Sequence, residues 1–589
     1  MISATHPTKR PGSPGGHYFT GLILALFFAS TLAGLFLRPC AADQGFFPLV
    51  RARIERQVQG GLDKPDIVCH GEPICGLRII PSFYRDRNFE PAWFDASGLR
   101  LTAQWLARYI EQTAKEGLNP SDYHQAAIEQ LLGELSPLPF PPEESQAVRW
   151  ADLDLILTDA FLLLGSHLSG GRINPETLHT DWLTDENSMD MLAYLHSTET
   201  RGQMERAVRE LAPAHIGYTS LKAALQQMRE LESLGGWPQI QIPDTIKPGE
   251  RCDQVALIRR RMRISGDLPD SDPENRIAEA SDFYDDDLVA AIQRFQRRHG
   301  LMADGIIGRN TGKALNITVA QRIRQIELNL ERWRWLPRYL GERYIVVNTA
   351  DFNLRVMEGT SKVLAMRVVV GRPARRTPVF STTMSHIVLN PYWNVPRTIA
   401  VKDILPKLTE GIDYLLEQGF KVFAGWQEDA PEIDPRTITW QNYNEDYFPL
   451  MLRQEPGKNN ALGRIKFIFP NKFAVYLHDT PQRSLFERVQ RDFSSGCIRL
   501  EKAPDLAKYL LAEDPFWTPD RLRQVFERGQ RRVVRIPRPI TVHILYMTAW
   551  VDENGILQFR NDIYDRDRIL SAALLKRRPY PLPVTTSDR

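Results

Sequence analysis

Two short stretches near the C-terminus contain residue types that can carry out covalent chemistry. "RDFSSGCIRL", residues 491–500, places Cys497 two positions before Arg499, and His478 in "FAVYLHD" lies nineteen residues before the cysteine. The period-two alternation of a strand puts Tyr476 on the same face as His478. A cysteine nucleophile needs a partner, because an unperturbed thiol is only a few per cent ionised at neutral pH. The spacing therefore indicates a thiol nucleophile activated by a histidine, with an arginine adding positive potential.

The turn before the cysteine, residues 494–496, has the sequence Ser-Ser-Gly. Its backbone N–H groups could form an oxyanion hole for a reaction intermediate. Equally, a lone cysteine is often a small buried hydrophobic residue, and a histidine at a strand end is often a bystander. The residues alone leave these alternatives open.

The composition sets bounds on the class of protein. At 589 residues the chain is too long for one hydrophobic core, which predicts three or four domains. A hydrophobic content of 43% and a charged content of 25% are ordinary for globular proteins. The net charge of +2 gives no reason to propose nucleic-acid binding. Arginine clusters such as residues 259–261 are interpreted as solvated faces.

Residues 1–42 have the pattern of an export signal. Lys9 and Arg10 precede an apolar run at residues 19–37, and small residues follow before Asp43. This pattern predicts a secretory signal. Because the run is close to the ~20 residues that span a bilayer, an uncleaved anchor is the alternative. In either case the positive charge keeps the N-terminus in the cytoplasm and predicts export of the remainder.

Export would permit disulfides. Cys69 and Cys75 are six residues apart in a polar loop and could pair, whereas Cys252 and Cys497 have no evident partner. An unpaired thiol in an oxidising compartment favours a functional explanation.

The elements that must position the cysteine are predicted from periodicity and from glycine and proline signals. The predicted fold is multidomain α+β. Its parts are a signal peptide or signal anchor (1–42), a helical scaffold domain (43–245), a small three-helix unit (247–317), a linker helix (318–342), a β-rich domain (343–575) with an insertion at about 401–460, and a disordered tail (576–589).

The three-helix unit resembles a peptidoglycan-binding domain. The resemblance rests on a pattern of eight residues: Phe295, Gln296, Gly300, Leu301, Asp304, Gly305, Gly308 and Thr311. It implies binding to the bacterial cell wall. The alternative is a helical spacer that has lost ligand binding.

The β-rich part resembles a YkuD-type L,D-transpeptidase domain, whose catalytic signature matches His478, Ser494, Gly496, Cys497 and Arg499 at these spacings. The stretches "NPYWNVP", "RQEPGKNNALGRIKFIFPN" and "YLHDTP" extend the match. The whole chain is similar to the large periplasmic L,D-transpeptidases of Gram-negative bacteria, which combine scaffold, peptidoglycan-binding and catalytic domains. This chain departs from many smaller relatives at one position: they have histidine immediately before the Gly-Cys pair, whereas this chain has Ser495. The larger subgroup also tends to have serine at this position.

The resemblance implies a role for each matched residue. Cys497 would attack the carbonyl between the third and fourth residues of a stem tetrapeptide, releasing D-alanine and forming a thioester. His478 would maintain the thiolate, protonate the leaving amine and deprotonate the acceptor, a diaminopimelate amine, which gives a 3→3 crosslink. Backbone N–H groups of Ser495, Gly496 and Cys497 would hold the oxyanion, and Arg499 would order the loop or meet a substrate carboxylate.

Further residues are predicted to line the substrate pocket, namely Tyr476, Ser494, Trp393 and Asn394. A tryptophan beside two prolines could instead anchor a turn. Residues 401–460 are predicted to form a lid over the cleft, as in the larger relatives, and the alternative is a surface insertion with its own minor core.

The resemblance implies peptidoglycan stem peptides as partners, and cell-wall synthesis enzymes as further ones. No cofactor is implied, and the histidines lack metal-ligand spacing. We expect a periplasmic protein that contacts the membrane only through an uncleaved N-terminal segment. Two alternatives remain: a hydrolase in which water replaces the acceptor amine, and a cell-wall-binding scaffold without activity.

Overall fold

The computed structural model describes residues 43–60, 67–135, 143–184, 189–242, 244–269, 281–427 and 429–576. It confirms the predicted multidomain α+β architecture, with a helical N-terminal region, a small helical unit and a β-rich C-terminal region. The predicted signal or anchor, and all but the first residue of the predicted tail, lie outside these ranges. Within them, no helix has the length and apolar character needed to cross a membrane.

The N-terminal region packs its helices around one long buried helix. Its described helices are α1 (Asp43–Gly60), α2 (Ile80–Asp86), α3 (Leu101–Glu111), α4 (Gln125–Leu135), α5 (Ala147–Gly170), α6 (Met191–His196), α7 (Arg201–Leu211) and α8 (Ile216–Ser233). Two small hairpins are formed by β1 (Val68–Cys69) with β2 (Glu72–Pro73) and by β3 (Phe94–Asp95) with β4 (Gly98–Leu99). The central helix is α5, which is buried on nearly all sides and ends before Gly171 at a φ of +81°.

Buried carboxylates on α5 hold the surrounding loops. Asp154 accepts hydrogen bonds from the Tyr84 hydroxyl (2.5 Å) and the Trp93 backbone N–H (2.8 Å). Asp159 lies 2.8 Å from Nε2 of His124. Because buried polar groups are costly unless they are hydrogen-bonded, these contacts explain why an otherwise apolar helix contains aspartates.

The disulfide between Cys69 and Cys75 that the sequence left open is not formed. Cys69 is a buried free thiol. Burial and the nearby Asp152 carboxylate raise the pKa of Cys69 well above its usual range, so this thiol is inert.

The small helical unit has its own core and consists of α9 (Val255–Ile264), α10 (Asp286–Arg298) and α11 (Arg309–Leu315). The buried Gln296 side chain donates to Asp304 and Thr311 and accepts the backbone N–H of Gly305. One amide side chain therefore fixes the glycine turn that precedes α11.

The next helix, α12 (Val319–Arg334), is more than a connector. A capping box between Thr318 and Gln321 begins it. It packs along α8, and Asn329 on its buried face donates to the Thr548 hydroxyl at 2.8 Å. The helix thereby joins the N-terminal region to the β-rich region.

The β-rich region is a closed sheet with helices against it. Its strands are β5 (Arg343–Asn348), β6 (Asn353–Glu358), β7 (Ser361–Gly371), β8 (Phe380–Leu389), β9 (Trp393–Asn394), β10 (Phe420–Phe423), β11 (Glu432–Ile433), β12 (Met451–Gln454), β13 (Ile465–Ile468), β14 (Leu477–His478), β15 (Asp492–Ser494), β16 (Ile498–Leu500), β17 (Arg532–Leu545), β18 (Ala549–Val551) and β19 (Leu557–Phe559). Its helices are α13 (Arg397–Ile399), α14 (Leu405–Glu410), α15 (Asp413–Glu417), α16 (Ala503–Leu511), α17 (Pro519–Arg528) and α18 (Arg566–Leu575).

The main sheet has the strand order β15-β7-β16-β14-β13-β8-β17-β5-β6, and β6 also pairs with β7. This last pairing closes the sheet into a barrel. The inward side chains form one apolar core that includes Val368, Ile387, Phe467, Ile498 and Val542.

The insertion after β8 forms a second, smaller sheet with the order β11-β10-β12-β9. Helices α13, α14 and α15 and this sheet enclose a separate core that contains Val395, Leu408, Val422, Trp440 and Leu452. Because the insertion has its own hydrophobic core, it forms a compact subdomain beside the barrel. Its role as a lid stays a prediction.

The strand predicted from alternation before the histidine is shorter than expected. Only Leu477 and His478 are in a strand, because residues 471–475 form a turn. The Asn471 side chain accepts the backbone N–H groups of two turn residues, and Ala474 has a φ of +54°. These hydrogen bonds to Asn471 replace the ones that the same N–H groups would make to a neighbouring strand. The strand therefore starts later than hydrophobic alternation alone predicts.

Candidate active site

Three neighbouring strands bring the predicted catalytic residues together. Strand β14 pairs in parallel with β16, with His478 opposite Arg499, and antiparallel with β13, with Lys466 opposite His478. The Ile498 N–H donates to the Tyr476 carbonyl, so Cys497 lies just before β16 and beside Tyr476. Since alternate residues share a face, this register puts all five side chains on one face of the barrel wall.

The nucleophile candidate Cys497 is partly exposed and carries a free thiol. The backbone N–H and the hydroxyl of Tyr476 are donors that favour its ionised form and lower its pKa. Burial raises the pKa of Cys497, and the Tyr476 donors and the cations Lys466 and Arg499 oppose this rise. On balance burial outweighs these groups and the pKa of Cys497 is raised, so the donors and cations limit the cost of a negative charge on the sulfur without removing it.

The histidine candidate His478 is buried and held in one tautomer. Its Nδ1 lies 2.5 Å from the Asp479 backbone carbonyl, which can only accept, so Nδ1 carries the proton. Burial, and then the Arg499 and Lys466 cations, lower the pKa of His478 to about 3. His478 is thus a neutral imidazole whose Nε2 remains available as a base. Among the described residues nothing hydrogen-bonds to Nε2, and no hydrogen bond joins His478 to Cys497.

The turn before Cys497 is locked by its own hydroxyl groups. The Ser494 Oγ donates to the Cys497 carbonyl at 2.5 Å and accepts the Gly496 N–H at 3.1 Å. The Thr377 hydroxyl donates to the Gly496 carbonyl at 2.8 Å. Gly496 has a φ of +116°, a conformation that residues with a Cβ rarely adopt. The backbone conformation of this turn therefore requires glycine immediately before Cys497.

This geometry revises the predicted oxyanion hole. The Gly496 N–H, one of three predicted donors, is already used by Ser494. The N–H groups of Ser495 and Cys497 have no acceptor among the described residues. These two groups are the ones left to bind an oxyanion, and that role stays a prediction.

The side chain of Ser495 links the turn to the insertion. Its Oγ accepts a hydrogen bond from Arg375 at 3.0 Å. Arg375 and Arg372 both donate to the Asp403 carboxylate, which lies at the start of the insertion. Ser495 is therefore part of a contact between the nucleophile turn and the small sheet domain.

A family comparison agrees with the location of this site. Residues 342–528, which contain Cys497 and His478, match the family model described as "L,D-transpeptidase catalytic domain". Residues 78–225 match a "Scaffold domain", and residues 253–315 match a "Putative peptidoglycan binding domain".

A curated protein from Haemophilus influenzae named "Putative L,D-transpeptidase" is 36% identical over 263 residues. The match covers 45% of this chain and 51% of that protein, so the chain spans about half the length of this curated relative.

Two solved L,D-transpeptidases are also similar. One, from Mycobacterium smegmatis, is 14% identical, covers 34% of this chain and 58% of its own, and has a TM-score of 0.16. The other, from Mycobacterium tuberculosis, is 13% identical, covers 34% and 60%, and has a TM-score of 0.17. Scores this low carry no argument about activity.

The residues predicted to line the substrate pocket take different positions. Tyr476 and His478 are neighbours, with ring centroids 5.6 Å apart. Trp393 is partly buried and acts on the Tyr476 hydroxyl as a donor that lowers its pKa. Asn394 is exposed and accepts from Nε of Arg453 at 2.9 Å, so it is turned to the partner strand β12.

Arg499 has few polar partners among the described residues. Its head group donates to the Gln482 side chain, and its buried Nε has no hydrogen-bond partner among the described residues. Burial lowers the pKa of Arg499 and the Cys497 sulfur opposes this. Both of its predicted roles, in ordering the loop and in meeting a carboxylate, stay open as predictions.

Sequence reasoning missed Lys466. Its Nζ lies 3.8 Å from the centre of the Tyr476 ring. The available signal was a lysine in the middle of "RIKFIF", a strand whose other side chains are mostly apolar. Sequence does not tell which strand becomes the neighbour of β14, and so it could not connect Lys466 to the histidine.

Among the described residues, no group of three or more His, Cys, Asp or Glu side chains could hold a metal ion.

Proposed function

We propose that this protein is a peptidoglycan L,D-transpeptidase that uses Cys497 as its nucleophile. The observation that carries the proposal is the position of Cys497 just before β16, beside Tyr476 and one strand away from a neutral His478. This arrangement lies within the segment that matches the catalytic-domain model. A neutral histidine with a fixed tautomer suits general-base and general-acid catalysis of acyl transfer.

The first half-reaction forms a thioester. The Cys497 sulfur attacks the carbonyl between the third and fourth residues of a stem tetrapeptide, and its thiol proton passes to Nε2 of His478. The N–H groups of Ser495 and Cys497 stabilise the oxyanion. When the tetrahedral intermediate collapses, the C–N bond breaks, and the amine of D-alanine leaves with the proton from His478.

The second half-reaction transfers the acyl group. A diaminopimelate amine of another stem attacks the thioester carbonyl and gives a proton to His478. The C–S bond breaks, and the Cys497 sulfur regains the proton. The product is a 3→3 crosslink, and no nucleotide is consumed because the energy of one amide bond passes through the thioester to the next.

The surrounding parts fit the same substrate. The segment that matches a peptidoglycan-binding model would hold the enzyme on the wall. The N-terminal pattern of Lys9, Arg10 and the apolar run at residues 19–37 supports export to the periplasm, with the run either cleaved or kept as an anchor. Stem peptides are the proposed partners, and cell-wall synthesis enzymes would act on the same material.

The experiment incubates the full chain in mild detergent with disaccharide-tetrapeptide muropeptides and analyses the products by mass spectrometry. We expect dimers that have lost one D-alanine, with a 3→3 link confirmed by fragmentation. A Cys497→Ala variant should form none. Cys252→Ala, which removes another partly buried free thiol, is the matched control and should behave as wild type.

Two outcomes would contradict the transpeptidase. Tripeptide without dimers would mean that water is the acceptor and that the protein is a hydrolase. No change in the muropeptides, together with no acylation of Cys497 by a carbapenem, would leave a cell-wall-binding scaffold. Carbapenem acylation is measured by the intact mass, since the β-lactam carbonyl is attacked by the same sulfur.

A further inference from the structure

A partly buried lysine lies in the candidate site without a carboxylate partner among the described residues. Lys466 is on β13 opposite His478, is mostly shielded from solvent, and holds its Nζ 3.8 Å from the centre of the Tyr476 ring. It forms no ion pair and no hydrogen bond with any described residue. A cation over an aromatic ring gains some attraction, but this does not by itself offset the loss of hydration.

The charges around Lys466 point to the Cys497 sulfur as its counter-charge. Burial lowers the pKa of Lys466, the Cys497 sulfur opposes this, and the Arg531 cation adds to the lowering. The relation is mutual. Of the two cations that lower the pKa of Cys497 against the effect of burial, Lys466 has the larger effect and Arg499 the smaller. The sulfur is the group that can carry a negative charge beside this lysine.

His478 cannot take this role as a lasting imidazolium. It is fully buried between two cations, Arg499 and Lys466, and its Nδ1 proton is committed to the Asp479 carbonyl. An imidazolium–thiolate pair would place a third positive charge in the same buried space. The site therefore separates two tasks, proton transfer and charge stabilisation, between two residues.

We propose that Lys466 is the counter-cation of the Cys497 thiolate, with Tyr476 beside both residues. The inference rests on the proposed function for its place in the reaction. As the sulfur loses its proton to His478, the negative charge that develops on the sulfur is stabilised by the Lys466 ammonium, which keeps its own protons throughout. His478 returns the proton to the leaving amine.

The strands around Lys466 contribute cations, a histidine and apolar side chains to this site. On β14 and β16 they are His478 and Arg499, and Arg531 lies before β17. On β8, Val388 is opposite Lys466, and His386 is opposite Ile468 further along the same face. Among the described residues none of these elements contributes a carboxylate to Lys466, so no anion other than the sulfur competes for it.

The test measures the charge of the sulfur without needing the transpeptidase reaction. The full chain in detergent is alkylated with iodoacetamide from pH 5 to pH 10, and the rate at Cys497 is read from its peptide by mass spectrometry. We expect Lys466→Met to move the midpoint up by about one pH unit or more and to slow alkylation at pH 7 about tenfold or more. Lys466→Arg should restore most of the wild-type profile.

Controls distinguish a charge effect from a structural one. Lys472→Met removes an exposed lysine over the neighbouring Phe473 ring and should leave the profile unchanged. His478→Gln should abolish crosslinking yet move the midpoint less than Lys466→Met does. Thermal melts check that each variant is folded, and Lys466→Gln replaces the methionine variant if that one does not fold.

The inference is overturned if Lys466→Met alkylates with the wild-type pH profile, or if His478→Gln moves the midpoint more. It is also overturned if Lys466→Arg behaves like Lys466→Met, because the effect would then not depend on charge. If wild type alkylates as expected but forms no dimers, the proposed function fails while the assignment of Lys466 stands.

Discussion

At the scale of single residues, one histidine of the candidate site is kept neutral by its surroundings. His478 is buried, and the nearby Arg499 and Lys466 cations work against its protonation, so its pKa is lowered to about 3. An unfolded chain would protonate the same imidazole near pH 6.5. Between these values the unfolded state binds more protons than the native state, and stability falls as the pH falls.

The first prediction follows from this sign. The His478→Gln variant removes the penalty, so its melting temperature relative to wild type should rise as the pH is lowered from 7.5 to 4.5. In this range the penalty grows by up to about 1.4 kcal/mol per pH unit below pH 6.5. Thermal melts at a series of pH values measure it.

The control is His196→Gln, which removes an exposed imidazole paired with Asp86. It shows how much of the change in melting temperature comes from replacing any histidine with glutamine. A difference between wild type and His478→Gln that stays constant with pH would contradict a neutral His478.

At the scale of elements, the insertion is tied to the nucleophile turn through a few charged groups. Asp403 in the insertion accepts from Arg372 at 3.0 Å and from Arg375 at 3.2 Å, and Arg375 also donates to Ser495. Burial raises the pKa of Asp403, but the two guanidinium groups outweigh it and hold this pKa below its usual value. The contact thus persists as an ion pair into the acidic range and couples the small sheet domain to the turn that holds Cys497.

The second prediction concerns this contact. Asp403→Asn should loosen the start of the insertion and speed hydrogen exchange of residues 397–410. It should also lower the rate of crosslinking about fivefold, since a partly exposed ion pair is worth about 1 kcal/mol. Alkylation of Cys497 by iodoacetamide should not slow, because the small reagent does not need the insertion.

Asp413→Asn is the matched control, since Asp413 begins helix α15 in the same insertion and is exposed. If exchange of residues 397–410 is unchanged in Asp403→Asn, the insertion is held by its own core and not by this ion pair.

At the scale of the whole molecule, the β-rich barrel extends beyond the segment that matches the family model. That segment ends at residue 528, whereas β17 (Arg532–Leu545) lies between β5 and β8 and completes the barrel. Five buried side chains of β17 contribute to the barrel core: Val534, Ile536, Ile540, Val542 and Ile544. Their burial is worth roughly 10 kcal/mol, which is as large as the net stability of a typical domain.

The third prediction is that residues 342–528 alone do not form a stable domain. We expect no cooperative thermal transition and strong binding of a hydrophobic dye, because β5 and β8 would have open edges. Residues 318–576 should melt cooperatively, since they add β17 and also α12 with its capping Thr318. Circular dichroism and dye fluorescence compare the two. A cooperative transition in residues 342–528 would show that the barrel closes without β17.

The domains are joined by buried polar contacts as well as by apolar ones. Arg332 on α12 pairs with Asp567 on α18, which also accepts from the Thr548 hydroxyl at 2.8 Å. Arg560 donates to the carbonyl of Arg298 in the small helical unit at 3.0 Å. Such contacts fix the orientation of neighbouring parts, because a buried charge that loses its partner is strongly unfavourable.

Much of the candidate site could be predicted from local sequence. Cys497, Arg499, Tyr476 and His478 lie in two short stretches whose alternation already assigns each to a face, and the structure places all four on one face. Gly496 adopts a φ of +116°, which a residue without a Cβ accepts readily. These predictions depend only on neighbours along the chain, which is why periodicity is sufficient for them.

The sequence by itself determined the helical and strand-rich parts, the residue types of the site and the turn that holds the nucleophile, because these depend on local periodicity and on glycine. The tertiary structure alone decided which strands became neighbours. That choice put Lys466 opposite His478, used the Gly496 N–H within the turn, and bound Ser495 through Arg375 to Asp403. Pairings between distant segments are set by closure of the barrel and burial of one shared core, and no local pattern records them.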